Sequence, residues 1–263
     1  TLVNGMKNKF INTDKKGTII LTHYRSGGTQ LRHIIHSFLN VNNIATDNYG
    51  EVPLELEDVN FYDEMFNLFF NYYEKEYRII QLNNPLLISF LYQCSLYSKL
   101  QENYHIVYLE REDHSKSLLS LPLWEKFIKD GYNDLDEWDA NSMNAFHKKY
   151  IDNPIKHTEL YTGLHSQYNP ISPVGYTNYI LMTYVNILAK NRLIANNLKL
   201  DFFKYEDYEE YNEDFFVTNF ETNDTQFLKE VQDSYLQKIP YVSSNYAIYF
   251  DQIVKDALSN WKL

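Results

Sequence analysis

Thr18-Ile19-Ile20-Leu21-Thr22-His23-Tyr24-Arg25-Ser26-Gly27-Gly28-Thr29-Gln30-Leu31 reads as a strand, a turn and the start of a helix in immediate succession. Residues 18–22 are a short β-branched and aliphatic run, which favours a strand. Leu31, Ile34, Ile35, Phe38 and Leu39 then recur at the spacing of one helix face. The two glycines let the backbone turn tightly and approach a ligand, and the N–H groups of a helix's first turn point at whatever lies above them. Arg25 adds a charged fork suited to phosphate or sulfate oxygens. The plainer reading of residues 26–29 is a turn closed by a Ser or Thr helix cap. Neither the nucleoside-triphosphatase loop G-x-x-x-x-G-K-[ST] nor the dinucleotide loop G-x-G-x-x-G fits this stretch. An anion-binding loop here is therefore of another kind.

Outward from this stretch, residues 78–82, 105–109 and 200–204 also read as strands. Helical spacing marks 65–77, 86–100, 118–128 and 179–195. Strands separated by helices predict an α/β fold of three layers, α/β/α, with a central parallel sheet covered on both faces. In such sheets ligands bind beyond the carboxyl ends of the strands. No repeat, proline-rich linker or long charge block interrupts the chain, which predicts one domain over 1–263. The stretch 125–178 carries Trp138, Tyr150, Tyr161 and Tyr168 and is expected to form a lid or insertion.

The chain has 263 residues, 44% of them hydrophobic, which suffices for a sizeable core. Its net charge of −11 argues against nucleic acid or an anionic membrane as the main partner, because both reward a basic face. No apolar run approaches a bilayer span, so no membrane insertion is expected and the protein reads as soluble and cytoplasmic. A lumenal protein whose anchor lies outside this stretch is the other reading. The single Cys94 allows no internal disulfide and is expected to be a small buried hydrophobe.

A second group follows the strand at 105–109. Arg111 sits at its carboxyl end, and Ser120 lies nine positions on, inside what reads as the next helix, where both could converge on one phosphate. A solvated charge cluster opening a helix accounts for Glu112 and Asp113 but not for the whole set.

Tyr24-Arg25-Ser26-Gly27-Gly28-Thr29 resembles the Pro-Arg-Ser-Gly-(Ser/Thr)-Thr loop of sulfotransferases that use 3'-phosphoadenosine-5'-phosphosulfate (PAPS). Leu109 to Asp113, through Ser120 and Leu121, is similar to their 3'-phosphate motif, in the style of bacterial carbohydrate sulfotransferases of the trehalose-sulfating type. Phe202 to Tyr208 is similar to their strand-ending Tyr-Glu-Asp-Leu. The resemblance implies a P-loop-like sulfotransferase fold and transfer of a sulfuryl group from PAPS to a hydroxyl or amine of a small-molecule or glycan acceptor. The product would be 3'-phosphoadenosine-5'-phosphate (PAP), with no metal. It further implies that Arg25, Ser26, Gly27, Gly28, Thr29 and Gln30 hold the 5'-phosphosulfate, and that Arg111 and Ser120 hold the 3'-phosphate.

The chain departs from the family pattern at Tyr24, which replaces Pro, at Gly28, which replaces Ser or Thr, and at Gln81 and Asn83, where relatives often carry Lys or His. The late glycine-rich Arg-Lys-Gly element of cytosolic relatives is missing too. With Arg25 stabilising charge, the remaining catalytic need is a base for the acceptor proton. Glu51, in the polar stretch after the first helix, is the candidate, with Asp47 and His23 in reserve and an ordinary solvated carboxylate as the plainer reading. His33 and His36 stand three apart on a helix but lack carboxylate or Cys partners in sequence, which disfavours a metal. The departures also fit a nucleotide-binding module without chemistry. A kinase-like phosphotransferase is the third reading, and it would need a nucleoside triphosphate and Mg²⁺.

Overall fold

The structure is a computed structural model that describes residues 5–23, 26–51, 61–71, 76–83, 85–114, 117, 173–235, 255–256 and 259. The chain divides into two compact units, Thr1–Glu112 with Ile187–Gln232 and Asp113–Asn186 with Asp233–Leu263. Residues 125–172 of the expected insertion and the helix expected at 118–128 lie outside the described residues.

The first unit is built on β1 (Gly17–Leu21), β2 (Thr46–Glu51), β3 (Tyr77–Leu82), β4 (His105–Glu110) and β5 (Asp201–Lys204). They form one parallel sheet in the order β2-β3-β1-β4-β5. Every residue of β1 is buried, and β3 and β4 are nearly so. That is why each of these strands carries adjacent apolar residues at its centre rather than an alternating pattern.

Seven helices accompany the sheet among the described residues: α1 (Gly28–Val41), α2 (Phe61–Phe69), α3 (Pro85–Gln93), α4 (Tyr97–Asn103), α5 (Pro173–Leu198), α6 (Glu213–Phe220) and α7 (Thr225–Tyr235). On one sheet face Ile19, Leu21, Ile80, Leu82, Ile106 and Tyr108 pack in one cluster with residues of α2 to α4 and with Ile187 and Ile194 of α5. The opposite face is aromatic. The Phe10 ring meets those of Phe203 of β5 and Phe220 at tilted angles, with centroids 4.2 and 4.8 Å apart, and Phe38 of α1 meets Phe220 and Phe227 at 5.0 and 5.1 Å. Each such buried ring removes enough apolar surface from water to contribute about 2–3 kcal/mol. The phenylalanine-rich composition thus has a location.

Elements differ from the sequence expectation in four places. Residues 46–51 form edge strand β2 rather than a loop, with a register irregularity between Asp47 and Gly50 and a left-handed Gly50 (φ 93°). The expected helix 65–77 is displaced to 61–69, because Tyr77 begins β3. Its ring is buried, its hydroxyl donates to Thr18 (2.8 Å) and accepts from the Asn12 N–H (3.1 Å), and burial pushes its pKa up to about 12. The expected helix 86–100 is two helices, α3 and α4, broken around Ser95, whose φ of 54° lies in the left-handed region. Cys94, beside that break, is exposed rather than buried.

The second unit has few described side chains; in it His114 Nδ1 lies 3.1 Å from the Tyr184 hydroxyl. None of the described helices is long and apolar enough to cross a membrane.

Helix α5 is tied to β4 by charge. Arg192 forms a forked pair with the Glu110 carboxylate, which is only 3% exposed and also accepts from the Tyr108 hydroxyl. Burial pushes the Glu110 pKa up, but the hydrogen bonds and charge of Arg192 outweigh it and hold the carboxyl below its ordinary value. Arg192→Met strands a buried carboxylate and should lower unfolding free energy by about 3 kcal/mol at neutral pH in urea titrations. A depressed folded pKa contributes stability above the ordinary glutamate value of 4.5, lost as pH falls through the folded value. The gap between variant and wild type should therefore narrow below that range, and a gap independent of pH would rule out an electrostatic role for the pair.

Candidate functional site

The chain leaves β1 to build β2 on one side of the sheet and leaves β4 to reach β5 on the other. The carboxyl ends of β1 and β4 therefore flank the switch point, where an open parallel sheet has its natural ligand crevice. Thr22 and His23 end one strand; Glu110 and Arg111 end its neighbour. They are laced together: the Thr22 hydroxyl reaches the Leu109 carbonyl oxygen (3.0 Å), and the Arg111 N–H donates to His23 Nε2 (3.2 Å). That contact fixes the His23 imidazole, 1% exposed, at the end of β1. Asn191 of α5 donates to the Thr22 carbonyl oxygen (2.8 Å) from a fully buried position.

The turn from β1 into α1 has a clear local cause. Gly27 is the N-cap residue in left-handed geometry (φ 83°), supplies no side-chain cap, and is followed by a first turn without an acidic residue. The opening N–H groups of α1 are thus offered no side-chain anion from the cap or first turn. Ser26 is buried, and its hydroxyl donates to the His23 carbonyl oxygen (2.6 Å) and touches the Thr22 hydroxyl. It stabilises the turn, leaving backbone donors as the turn's outward chemistry.

Two approaches to the glycines are closer than any side chain permits. A Cβ on Gly27 would fall 2.0 Å from the Tyr205 ring, and one on Gly28 would fall 2.8 Å from the Gln81 amide carbon. Gln81 of β3, itself 4% exposed, also accepts from the exposed Thr29 hydroxyl (3.3 Å).

Tyr205 opens the 3₁₀ turn Tyr205–Asp207 that follows β5. Its hydroxyl donates to Gln30 (3.1 Å), and the Tyr208 hydroxyl donates to the Gly27 carbonyl oxygen (3.4 Å). The Arg111 guanidinium lies 4.7 Å from the centre of the Tyr205 ring, with Nη2 2.7 Å from the Glu209 carboxylate and Nε 4.0 Å from Glu206. Glu206 in turn accepts from the Glu112 N–H (3.1 Å).

Of the residues singled out in sequence, Ser26, Gly27, Gly28, Thr29, Gln30 and Arg111 come together with the 205–209 turn. Arg25 and Ser120 lie outside the described residues. Glu51 ends β2 with its backbone in register with Gln81, at the carboxyl end of the sheet. Asp47 sits at the opposite end of β2, about 13 Å back along the strand, where it pairs with Arg78 (2.7 Å). Sequence reasoning missed the Glu110–Arg192 pair, Asn191 and Glu209. Asn191 and Arg192 share their helical stretch with other polar residues, Thr183, Asn186 and Lys190, so nothing local marked them. No group of three or more metal-ligating side chains occurs among the described residues.

Fold and site define a parallel α/β protein with a glycine turn, a helix N-terminus without a side-chain cap and a buried arginine at the switch point. No family model, curated protein or solved structure matches the chain.

Gly27→Ala should cost about 3 kcal/mol, the sum of left-handed strain and displacement of the Tyr205 ring. Gly5→Ala, also at positive φ but with open space around its Cβ position, should cost only about 1 kcal/mol. Equal losses in denaturant titrations would show that the Tyr205 contact adds nothing.

Proposed function

We propose that the chain is a PAPS-dependent sulfotransferase with a P-loop-like sulfotransferase fold, acting on a hydroxyl or amine of a small-molecule or glycan acceptor. The observation that supports it most is the meeting of the 26–30 turn, Arg111 and the 205–209 turn at the switch point. These segments are the ones similar to the family's phosphosulfate loop, 3'-phosphate motif and Tyr-Glu-Asp turn. Gly28 and Gln81, separate departures from the family pattern in sequence, are neighbours in space: the glutamine amide fills the volume that a Ser or Thr at 28 would need.

In this reading the amides at the start of α1 and Arg25 hold the 5'-phosphosulfate, and Arg111 with Ser120 holds the 3'-phosphate. The sulfur's bond to the phosphate oxygen breaks as its bond to the acceptor oxygen or nitrogen forms. PAP departs, and the acceptor's proton passes to a base. Charge developing on the leaving oxygen is met by donors that are already in position. Glu51 is the proposed base, since its backbone stands beside Gln81, whose amide meets the loop. Asp47, at the far end of the strand, is poorly sited for that role, and His23 is engaged by the Arg111 N–H. The departures at Gly28 and Gln81, which meet in space, favour one second reading, a nucleotide-binding module without chemistry.

Calorimetric titration should show PAP binding and no response to ATP with Mg²⁺. Response to ATP with Mg²⁺ alone would make the chain kinase-like, and PAP binding without turnover on any acceptor would favour the binding module. Arg111→Ala should weaken PAP at least ~10-fold while sparing adenosine 5'-phosphosulfate; equal losses would remove Arg111 from the 3'-phosphate.

Once an acceptor is found, Glu51→Gln should cut turnover by roughly 10²–10⁴-fold with PAP affinity unchanged. Unchanged turnover would eliminate Glu51 as the base.

A further inference from the structure

The Arg111 fork already holds an anion. Its side chain is 9% exposed, one face of the guanidinium lies on Tyr205, and Nη2 meets Glu209 at 2.7 Å. A charge buried this far needs a partner, and the chain supplies its own. The two carboxylates nearby are not equivalent. Both side chains keep some contact with solvent, 28% for Glu206 and 22% for Glu209, but Glu206 stands 4.0 Å from Nε and accepts from the Glu112 N–H, whereas Glu209 makes the close contact. Glu209 is thus the carboxylate that occupies the fork, and its partial exposure lets it turn toward water when another anion takes its place.

We propose that Glu209 is the specificity-determining residue of the Arg111 site: its carboxylate fills the fork until a dianionic phosphate ester displaces it, so that monoanions are refused. This rests on the reading of Arg111 as a phosphate-binding group. A tethered carboxylate competes at an effective concentration in the millimolar range or above, which a free ligand of equal charge does not overcome at ordinary concentrations. A phosphate monoester carries about −1.5 to −2 charges and three strong acceptor oxygens, so it gains more from the same guanidinium than Glu209 loses. Selection thus comes from the exchange of one anion for another rather than from an empty basic pocket. That suits a chain of net charge −11: a local cation is kept neutralised until its ligand arrives.

The test is calorimetric titration of the full chain, wild type, Glu209→Gln and Glu209→Asp, with PAP, AMP and inorganic phosphate as probes. Glu209→Gln should bind PAP and inorganic phosphate about 10-fold more tightly than wild type, with AMP within about twofold. Glu209→Asp, which retains the charge but shortens its reach, should fall between, and adding Arg111→Met to Glu209→Gln should abolish the gain. Thermal melts establish that each variant is folded. If PAP binds none of the proteins while inorganic phosphate still gains tenfold, the PAP reading fails and the role of Glu209 holds. If PAP binds wild type and neither substitution at 209 changes PAP or phosphate affinity, the role of Glu209 is overturned and the PAP reading stands.

Discussion

Tyr205 lies across the turn from β1 to α1 because residue 27 has no side chain, and much of the crevice depends on that contact. The ring occupies the place of a Cβ on Gly27, its hydroxyl reaches Gln30, and its outer face carries the Arg111 guanidinium. One aromatic side chain thereby joins the end of β5 to the turn after β1 and to the residue after β4. The left-handed conformation of Gly27 and the approach of the ring are two demands on the same position, and glycine meets both.

Charge in the crevice is arranged in pairs formed within the chain. Arg192 is matched to Glu110, and Arg111 to Glu209 with Glu206 nearby. The two arrangements differ in kind. Glu110 is almost wholly buried and shares its oxygens with Tyr108 and Arg192, so it joins α5 to β4 permanently. Glu209 is partly hydrated and meets its arginine at 2.7 Å. Desolvation explains the difference: a carboxylate with no route to water stays with its cation, and one with such a route can exchange it for another anion.

How much of this was legible beforehand differs element by element. β1, β3 and β4 could be read because strands buried on both faces favour adjacent apolar residues, and Ile19-Ile20-Leu21, Ile79-Ile80 and Ile106-Val107 supply them locally. The helix after Gly28 could be read because one buried face imposes a fixed spacing. β2 could not be read: Thr46-Asp47-Asn48-Tyr49-Gly50-Glu51 has little strand propensity, and it extends only because β3 offers a free edge to pair with. The break near Ser95 was hidden for a similar reason, since a continuous apolar spacing does not reveal a single left-handed residue.

Within the site, residue types and their order along the chain were enough to mark the glycine turn, Arg111 and the 205–208 segment, because each stands where a strand ends and backbone donors or a guanidinium suit an anion. That local pattern also carried the layered parallel α/β arrangement. Only the folded chain decided which of these groups meet. Gln81 fills the space above Gly28, Glu209 takes the Arg111 fork, and Asn191 holds the end of β1 from more than a hundred residues away. Such pairings depend on strand order and on the distance of closest approach, and neither quantity is a property of any local stretch of sequence.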